Sequence, residues 1–188
     1  SHDENTAARW LSERDLPTLG AEIEAMLFGG MCLIPEPCGS AYEALMRREH
    51  GRRVVMLDPN IRPGFIADRE AHLARMERMI AMADIVKLSE EDHSWFGEPG
   101  DAEEVAARWL ERGPKLVIVT SGGKGATAWY GGGKSVSVEA RRVEVVDTVG
   151  AGDTFNAGLL ASLHEQGLLA KAAVATLTED AIPAALEF

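Results

Sequence analysis

Residues 147–153, "DTVGAGD", place two acids around a Gly-Ala-Gly directly before the apolar run "TFNAGLLASL". Glycine loses more conformational freedom on folding than any other residue, so bare backbone at the mouth of a helix must gain from letting another group come close. The first N–H groups of a helix have no partner within it, and the helix dipole favours negative charge at that end. Amides of Gly150, Ala151, Gly152 and Asp153 can therefore hold an anion. A capped helix start, with Asp153 or Thr154 as the cap, accounts for the same residues, and this motif alone leaves both accounts open. The chemistry that suits the pattern is phosphoryl transfer, because its loose transition state asks mainly for positioning and charge neutralisation. A carboxylate stabilised as the anion at a helix start is a weak base, but it can still orient a hydroxyl and take its proton late.

Three further stretches end apolar runs with residues able to meet a ligand. "VTSGGKGA" (119–126) turns where ligands gather in open α/β sheets, and Thr120, Gly122 and Gly125 could line phosphates there, with Lys124 nearby. A plain turn explains it equally well. "DPNIRPGF" (58–65) carries two prolines that fix an extended segment displaying Asp58, Asn60 and Arg62. Arg62 either clamps a phosphate or sugar oxygen or pairs with Asp58. In "KLSEEDHSWF" (87–96), Ser89 can cap a helix whose dipole Glu90, Glu91 and Asp92 complement, and acids at this edge could also hold Mg²⁺ through water. Two look-alikes fail. "GAGDTF" has Phe155 where G-x-G-x-x-G needs its third glycine, and "GGGKS" (131–135) has Ala128 where the phosphate-binding loop G-x-x-x-x-G-K-[ST] needs its first. The five histidines form no spaced ligand set, and none is assigned to a metal or to catalysis.

The elements that position these residues alternate. Short apolar runs at 26–34, 53–58, 84–88 and 115–120 read as strands buried on both faces, and helical patterns at 39–51, 68–83 and 100–113 lie between them. That alternation predicts a parallel, doubly wound sheet. Residues 126–147 then alternate in period two around a triple glycine, as a hairpin does, with "VEVV" (143–146) as a strand leading into the anion turn. A long helix follows from about Asp153 to Gln166, with Phe155, Leu159, Leu160 and Leu163 on one side and Gly167 as its stop.

The bulk numbers narrow the function classes. A chain of 188 residues that is 46% hydrophobic is long enough for one sizeable core. A net charge of -11 repels nucleic acid and anionic membranes, so neither is expected as a partner, and an anionic ligand has to be held locally. Cys32 and Cys38 suit a reduced compartment as buried small hydrophobes. No apolar run reaches membrane-spanning length and the first residues lack a signal-peptide core, so the expectation is a soluble, cytoplasmic protein.

Taken in order, "VVMLDPNIRP", "DIVKLSEED", "VIVTSGGKGATAWY" and "VVDTVGAGDTFNAGLLASL" closely resemble the ribokinase-like (PfkB) carbohydrate kinases, most of all their bacterial fructokinase branch. The resemblance runs from about Glu4 to the last residue, and the D-T-x-G-A-G-D block is its most specific part. It implies a three-layer α/β/α sandwich with a mostly parallel sheet, usually bearing a small β-lid. Residues 1–188 would form one such kinase domain, incomplete at both ends. By position it implies Asp153 as catalytic base toward the sugar hydroxyl, and Gly150, Ala151 and Gly152 as the anion hole for the transferred phosphoryl group. Thr120, Gly122 and Gly125 match the family's ATP-binding turn, with Lys87 and Ser89 at its edge. Glu36, in "LIPEP", matches an acidic residue that touches the sugar, and Arg62 falls near the substrate mouth. Asp147 and Val149 fall where many members bind a monovalent cation, which brings in potassium beside ATP and Mg²⁺, the latter held by Asp92 through water. A homodimer formed through the lid fits the same resemblance.

The departures are specific. The family's N-x-x-E element reads Ser89-Glu90-Glu91-Asp92 here. The amino-terminal strand with the sugar-binding Asp, the G-G-x-x-x-N segment and the carboxyl-terminal helix that closes the adenine pocket are not found in the sequence, so omitted or deleted segments are expected. Three readings follow. The first is ATP-dependent transfer of the γ-phosphoryl group to a hydroxyl of fructose or a related sugar. A 2-keto-3-deoxygluconate kinase is the second, since "DPNIRP" occurs in that branch too. The third is a non-catalytic nucleotide-binding regulatory relative.

Overall fold

The computed structural model describes residues 7–141 and 147–187. Four five-residue strands, β1 (Ala25–Gly29), β2 (Val54–Asp58), β3 (Ile85–Ser89) and β4 (Leu116–Thr120), lie parallel and in chain order, and β5 (Ala126–Tyr130) and β6 (Lys134–Val138) extend the sheet antiparallel. Helices α1 (Cys38–Glu49), α2 (Arg69–Ile80), α3 (Glu90–Phe96) and α4 (Ala102–Arg112) connect the parallel strands. Right-handed crossovers between neighbours taken in order must put all of these helices on one face. There Met46, Met76, Met79, Phe96 and Trp109 pack with Val55, Leu57, Val86, Leu88, Val117 and Val119. The opposite face is covered by α5 (Ala151–Glu165), α6 (Lys171–Val174) and α7 (Ala181–Leu186), whose Leu159, Leu163, Val174 and Ile182 meet Val54, Met56, Ile85, Leu116 and Ile118. The result is the expected three-layer α/β/α arrangement.

Strand alternation decides which side chains share the α5 face. Val54 and Met56 point toward α5, and period two brings Asp58 to the same side; Ile85 does so for Lys87, and Leu116 and Ile118 for Thr120. The registers Gly29↔Asp58 and Ser89↔Thr120 bring the carboxyl ends of the parallel strands level. Polar residues at the last positions of several strands thus converge at one end of the sheet, on one face, as ligand sites in open α/β sheets do.

Several elements differ from the sequence expectation. The run at 26–34 is a strand only to Gly29; Gly30–Leu33 is a 3-10 turn, and a Cβ on Gly30 would lie 1.5 Å from the Pro59 carbonyl oxygen, so the chain must turn away there. The triple glycine forms the expected hairpin turn, with Gly132 and Gly133 at positive φ. The strand expected at 143–146 lies outside the described residues. Cys38 is buried as expected but Cys32 is exposed, and both are free thiols. Among the described residues no helix is long and apolar enough to cross a membrane.

The other end of the sheet is fixed by Asp84, which is 5% exposed. Its carboxylate accepts from the Val55 N–H at 2.8 Å and from Lys171 Nζ at 2.6 and 2.8 Å, while its carbonyl accepts from the N–H groups of Lys115 and Leu116. One residue thereby joins β2, β3 and β4 to α6. Asp84→Ala, which leaves both a buried N–H and an ammonium unpaired, is expected to lower the unfolding free energy by about 3 kcal/mol or more. Lys171→Met, which keeps the stem packed, should cost less; urea denaturation checks the ordering.

His72, also 5% exposed, stacks edge-on against Trp95 with ring centroids 5.9 Å apart. Burial, aided by the nearby Arg75 charge, lowers its pKa below the ordinary imidazole value. On acidification the unfolded chain takes up this proton first, at about pH 6.5, so stability is complete above that pH and is lost as pH falls below it. Glu43, hydrogen-bonded by Arg78, and Glu49, hydrogen-bonded by Arg53, have lowered pKa values and act only at more acidic pH. Between about pH 7 and 5.5 the unfolding free energy should therefore fall in the wild type and stay nearly level in His72→Phe. Equal pH slopes for the two proteins would rule this out.

Candidate active site

The floor of the site is a buried polar group. Asp58 is 3% exposed, Lys87 5% and Asn156 1%. Asp58 Oδ2 accepts from Lys87 Nζ at 3.1 Å and from Asn156 Nδ2 at 2.7 Å, and its Oδ1 accepts from the Asn60 N–H at 3.2 Å. Each charge would be costly in the interior without the other. Asn60 follows at φ 39, a left-handed conformation that asparagine tolerates better than most residues.

Above this floor stands the amino end of α5. Gly150 is its N-cap at φ 80, in the left-handed region where glycine carries no steric penalty, and a Cβ there would meet nothing within 4 Å. Neither Asp153 nor Thr154 caps the helix: Asp153 lies inside its first turn, and the Thr154 N–H donates to the Gly150 carbonyl at 2.8 Å. The expected set of free amides is reduced by one, because the Ala151 N–H donates to the Thr148 carbonyl at 3.2 Å. The N–H groups of Gly150, Gly152 and Asp153 have no partner among the described residues. A Cβ on Gly152 would sit 3.3 Å from Lys87 Nζ, so the ammonium reaches the helix mouth from below. Asp153 is exposed, and its carboxylate has no hydrogen bond among the described residues.

These groups share one cleft of about 690 Å³, lined by Asp58, Asn60, Arg62, Lys87, Ser89, Asp92, Thr120, Gly122, Gly150, Gly152 and Asp153, among others. Arg62 does not pair with Asp58; its Nη1 donates to the Ile61 carbonyl at 3.1 Å. Thr120 Oγ1 donates to the Leu88 carbonyl at 3.2 Å. Ser89 caps α3 as expected, accepting from the Asp92 N–H at 3.0 Å. Asp92 differs from expectation: Oδ2 accepts from the Ser89 N–H and hydroxyl, and Oδ1 accepts from the Ile61 N–H at 2.6 Å. Both oxygens are already engaged, so this carboxylate is part of the scaffold and a poor holder of hydrated magnesium. The exposed Glu90 and Glu91 line the same cleft with their carboxylates unpaired among the described residues.

Other expected site residues lie elsewhere. Gly125 does not line the cleft; at φ 106, a Cβ on it would be 1.9 Å from the Val138 carbonyl oxygen, so it is glycine to let the turn pass β6. Glu36 lines a separate pocket of about 400 Å³ with Arg75, His72 and Phe65. It pairs with Arg75 and accepts from the Ser40 N–H at 3.3 Å, and these contacts, working against burial, hold its carboxyl below the usual range. Asp147 and Val149 are exposed, and the Asp147 carboxylate accepts from the Val149 N–H at 2.9 Å in an Asx turn. Among the described residues no three His, Cys, Asp or Glu side chains cluster as a metal site.

Asn156 was readable in principle: it is a polar residue on the same stripe as Leu159 and Leu163, and a polar side chain facing a core needs a partner. The role of Asp58 as that partner follows only once β2, β3 and α5 are brought together.

Comparison with known proteins bears on the family and the fold. The model of the pfkB family of carbohydrate kinases matches residues 4–176. A fructokinase of Rhizobium leguminosarum bv. trifolii is 55% identical over 181 residues, 96% of this chain and 55% of that protein. The crystal structure of aminoimidazole riboside kinase from Salmonella enterica, with aminoimidazole riboside and an ATP analogue, superposes with a TM-score of 0.76 at 27% identity, over 95% of this chain and 58% of its own. A double mutant of fructokinase from Vibrio cholerae O395, holding fructose, ADP and a potassium ion, gives 0.79 at 26% identity, over 94% and 54%. The chain spans a little over half the length of these relatives. With a family match that takes in all six strands and the whole cleft, the chain belongs to the pfkB family of carbohydrate kinases.

Proposed function

We propose that this cleft is the phosphoryl-transfer site of an ATP-dependent sugar kinase, and that residues 1–188 lie within one such kinase domain. The observation that carries the reading is the meeting, in one cleft, of the Asp153 carboxylate and the amides of Gly150, Gly152 and Asp153, all without partners among the described residues, and the Lys87 ammonium. The nucleotide lies along the ends of β3 and β4, past Ser89, Thr120 and Gly122, with its γ-phosphate over the mouth of α5. The amides and Lys87 are fixed donors aimed at the charge of the migrating group, where preorganised electrostatics are most effective. The acceptor sugar approaches from the side of Asn60 and Arg62, and Arg62 is free to bind one of its oxygens.

In the transfer, a sugar hydroxyl oxygen forms its bond to the γ-phosphorus while its proton passes to Asp153. The bond from that phosphorus to the bridging oxygen breaks, and its electron pair leaves with ADP. Magnesium, which keeps several waters and binds chiefly through substrate phosphates, would enter with the nucleotide, with Glu90 and Glu91 as its water-mediated protein contacts. It would offset phosphate charge. A monovalent cation beside Asp147 and Val149 belongs to the same reading, supported by the potassium ion held in the Vibrio cholerae fructokinase structure.

Fructose is the favoured acceptor, supported by the relative that is 55% identical to this chain over 181 residues and bears the name fructokinase. A coupled ADP-release assay on the full polypeptide, with fructose, 2-keto-3-deoxygluconate and a nucleoside panel, is expected to show turnover with fructose; no turnover with any acceptor would end the reading. Asp153→Asn should lower kcat by about 10²-fold or more while leaving ATP affinity by calorimetry nearly unchanged. Unaltered turnover in that variant would remove Asp153 from the chemistry.

A further inference from the structure

Position 156 lies on the apolar stripe of α5, next to Leu159 and Leu163, both wholly buried. An aliphatic residue there would pack without any polar cost. The chain keeps an asparagine that is 1% exposed, whose Oδ1 is buried with no hydrogen-bond partner among the described residues. Buried polar atoms are nearly always satisfied, so an accepted deficit calls for a return elsewhere. The return is visible at the other end of the amide: Nδ2 donates to Asp58 Oδ2 at 2.7 Å, the oxygen that also receives Lys87 Nζ at 3.1 Å. Asp58 Oδ1 is held in turn by the Asn60 N–H. The carboxylate is fixed at both oxygens and cannot swing, and the ammonium bound to it is fixed with it. Lysine has a long flexible stem, so its head needs such a clamp if it is to remain within reach of Gly152.

We infer that Asp58 and Asn156 are positioning residues that hold the Lys87 ammonium beneath the amino end of α5, aimed at the anionic group above it. The inference rests on the reading of this cleft as the phosphoryl-transfer site. A positioned counter-charge should govern turnover more than ground-state binding, because a small displacement of a group that meets the transition state lowers rate sharply.

The test uses the full polypeptide and chemical rescue. Lys87→Ala removes a propylammonium-sized group from a buried site, so added propylammonium should restore part of the lost kcat, whereas propanol, of similar size but uncharged, should not. In Lys87→Ala/Asp58→Asn the rescue should vanish, because the carboxylate that would bind the amine is gone. Asn156→Ala alone should lower kcat about tenfold or more, with the KM for ATP within about threefold of wild type and cooperative melting retained. Equal rescue in the single and double variants, or Asn156→Ala and Asp58→Asn both turning over within twofold of wild type, would overturn the inference. If the wild type binds ATP but transfers nothing to any sugar, the functional reading fails separately. ATP affinity then becomes the readout, with the same dependence of propylammonium rescue on Asp58 supporting the clamp and its absence overturning it.

Discussion

The carboxylate of Asp58 lies where three elements meet: it ends β2, receives the only charged side chain of β3, and is touched by the first buried polar residue of α5. Each of those elements could be built without it, but the cleft could not. The ammonium at 87 is stable in the interior because a full negative charge lies 3.1 Å away, and the carboxylate is stable because two side-chain donors and one backbone donor converge on it. Removing one member of such a buried pair typically costs about 3–5 kcal/mol, far more than an exposed ion pair contributes. The sheet therefore tolerates a charged floor only as a complete set. That set leaves positive charge and bare amides directed at the same space, which is what an anionic substrate requires.

The rest of the architecture serves to bring this set together. Parallel strands taken in order send their crossover helices to one face, leaving the other for α5, α6 and α7. Because α5 arrives on the face where Asp58, Lys87 and Thr120 point, its amino end meets polar residues and its middle meets aliphatic ones. The left-handed Gly150 lets the helix begin abruptly at the cleft, with no side chain over its first amides.

Much of this was legible from residue patterns. The buried strands announced themselves as short apolar runs, and the start of α5 as small residues before an amphipathic stretch. Ser89 was readable as a cap because a serine three residues before an acid has a local reason to be there. Several of the failures were non-local. Glu36 belongs to Arg75, thirty-nine residues away, and Asp92 to the Ile61 amide, thirty-one residues away; neither partnership leaves a mark in the surrounding sequence. Gly125 looked like a phosphate loop residue but is shaped by the backbone of β6, which approaches only once the hairpin folds back. Ser89 answers to a local rule and was read correctly, whereas the Ala151 amide was taken as free although its partner, the Thr148 carbonyl, is only three residues away.

Asp84 and Lys171 fasten the sheet at the edge opposite the cleft. The cleft and this fastening therefore lie at opposite ends of the sheet. Selection can remodel the loops after β2, β3 and β4 to suit a new ligand while the far end preserves the strand alignment on which those loops depend. Such a division favours diversification of substrate preference within a common scaffold.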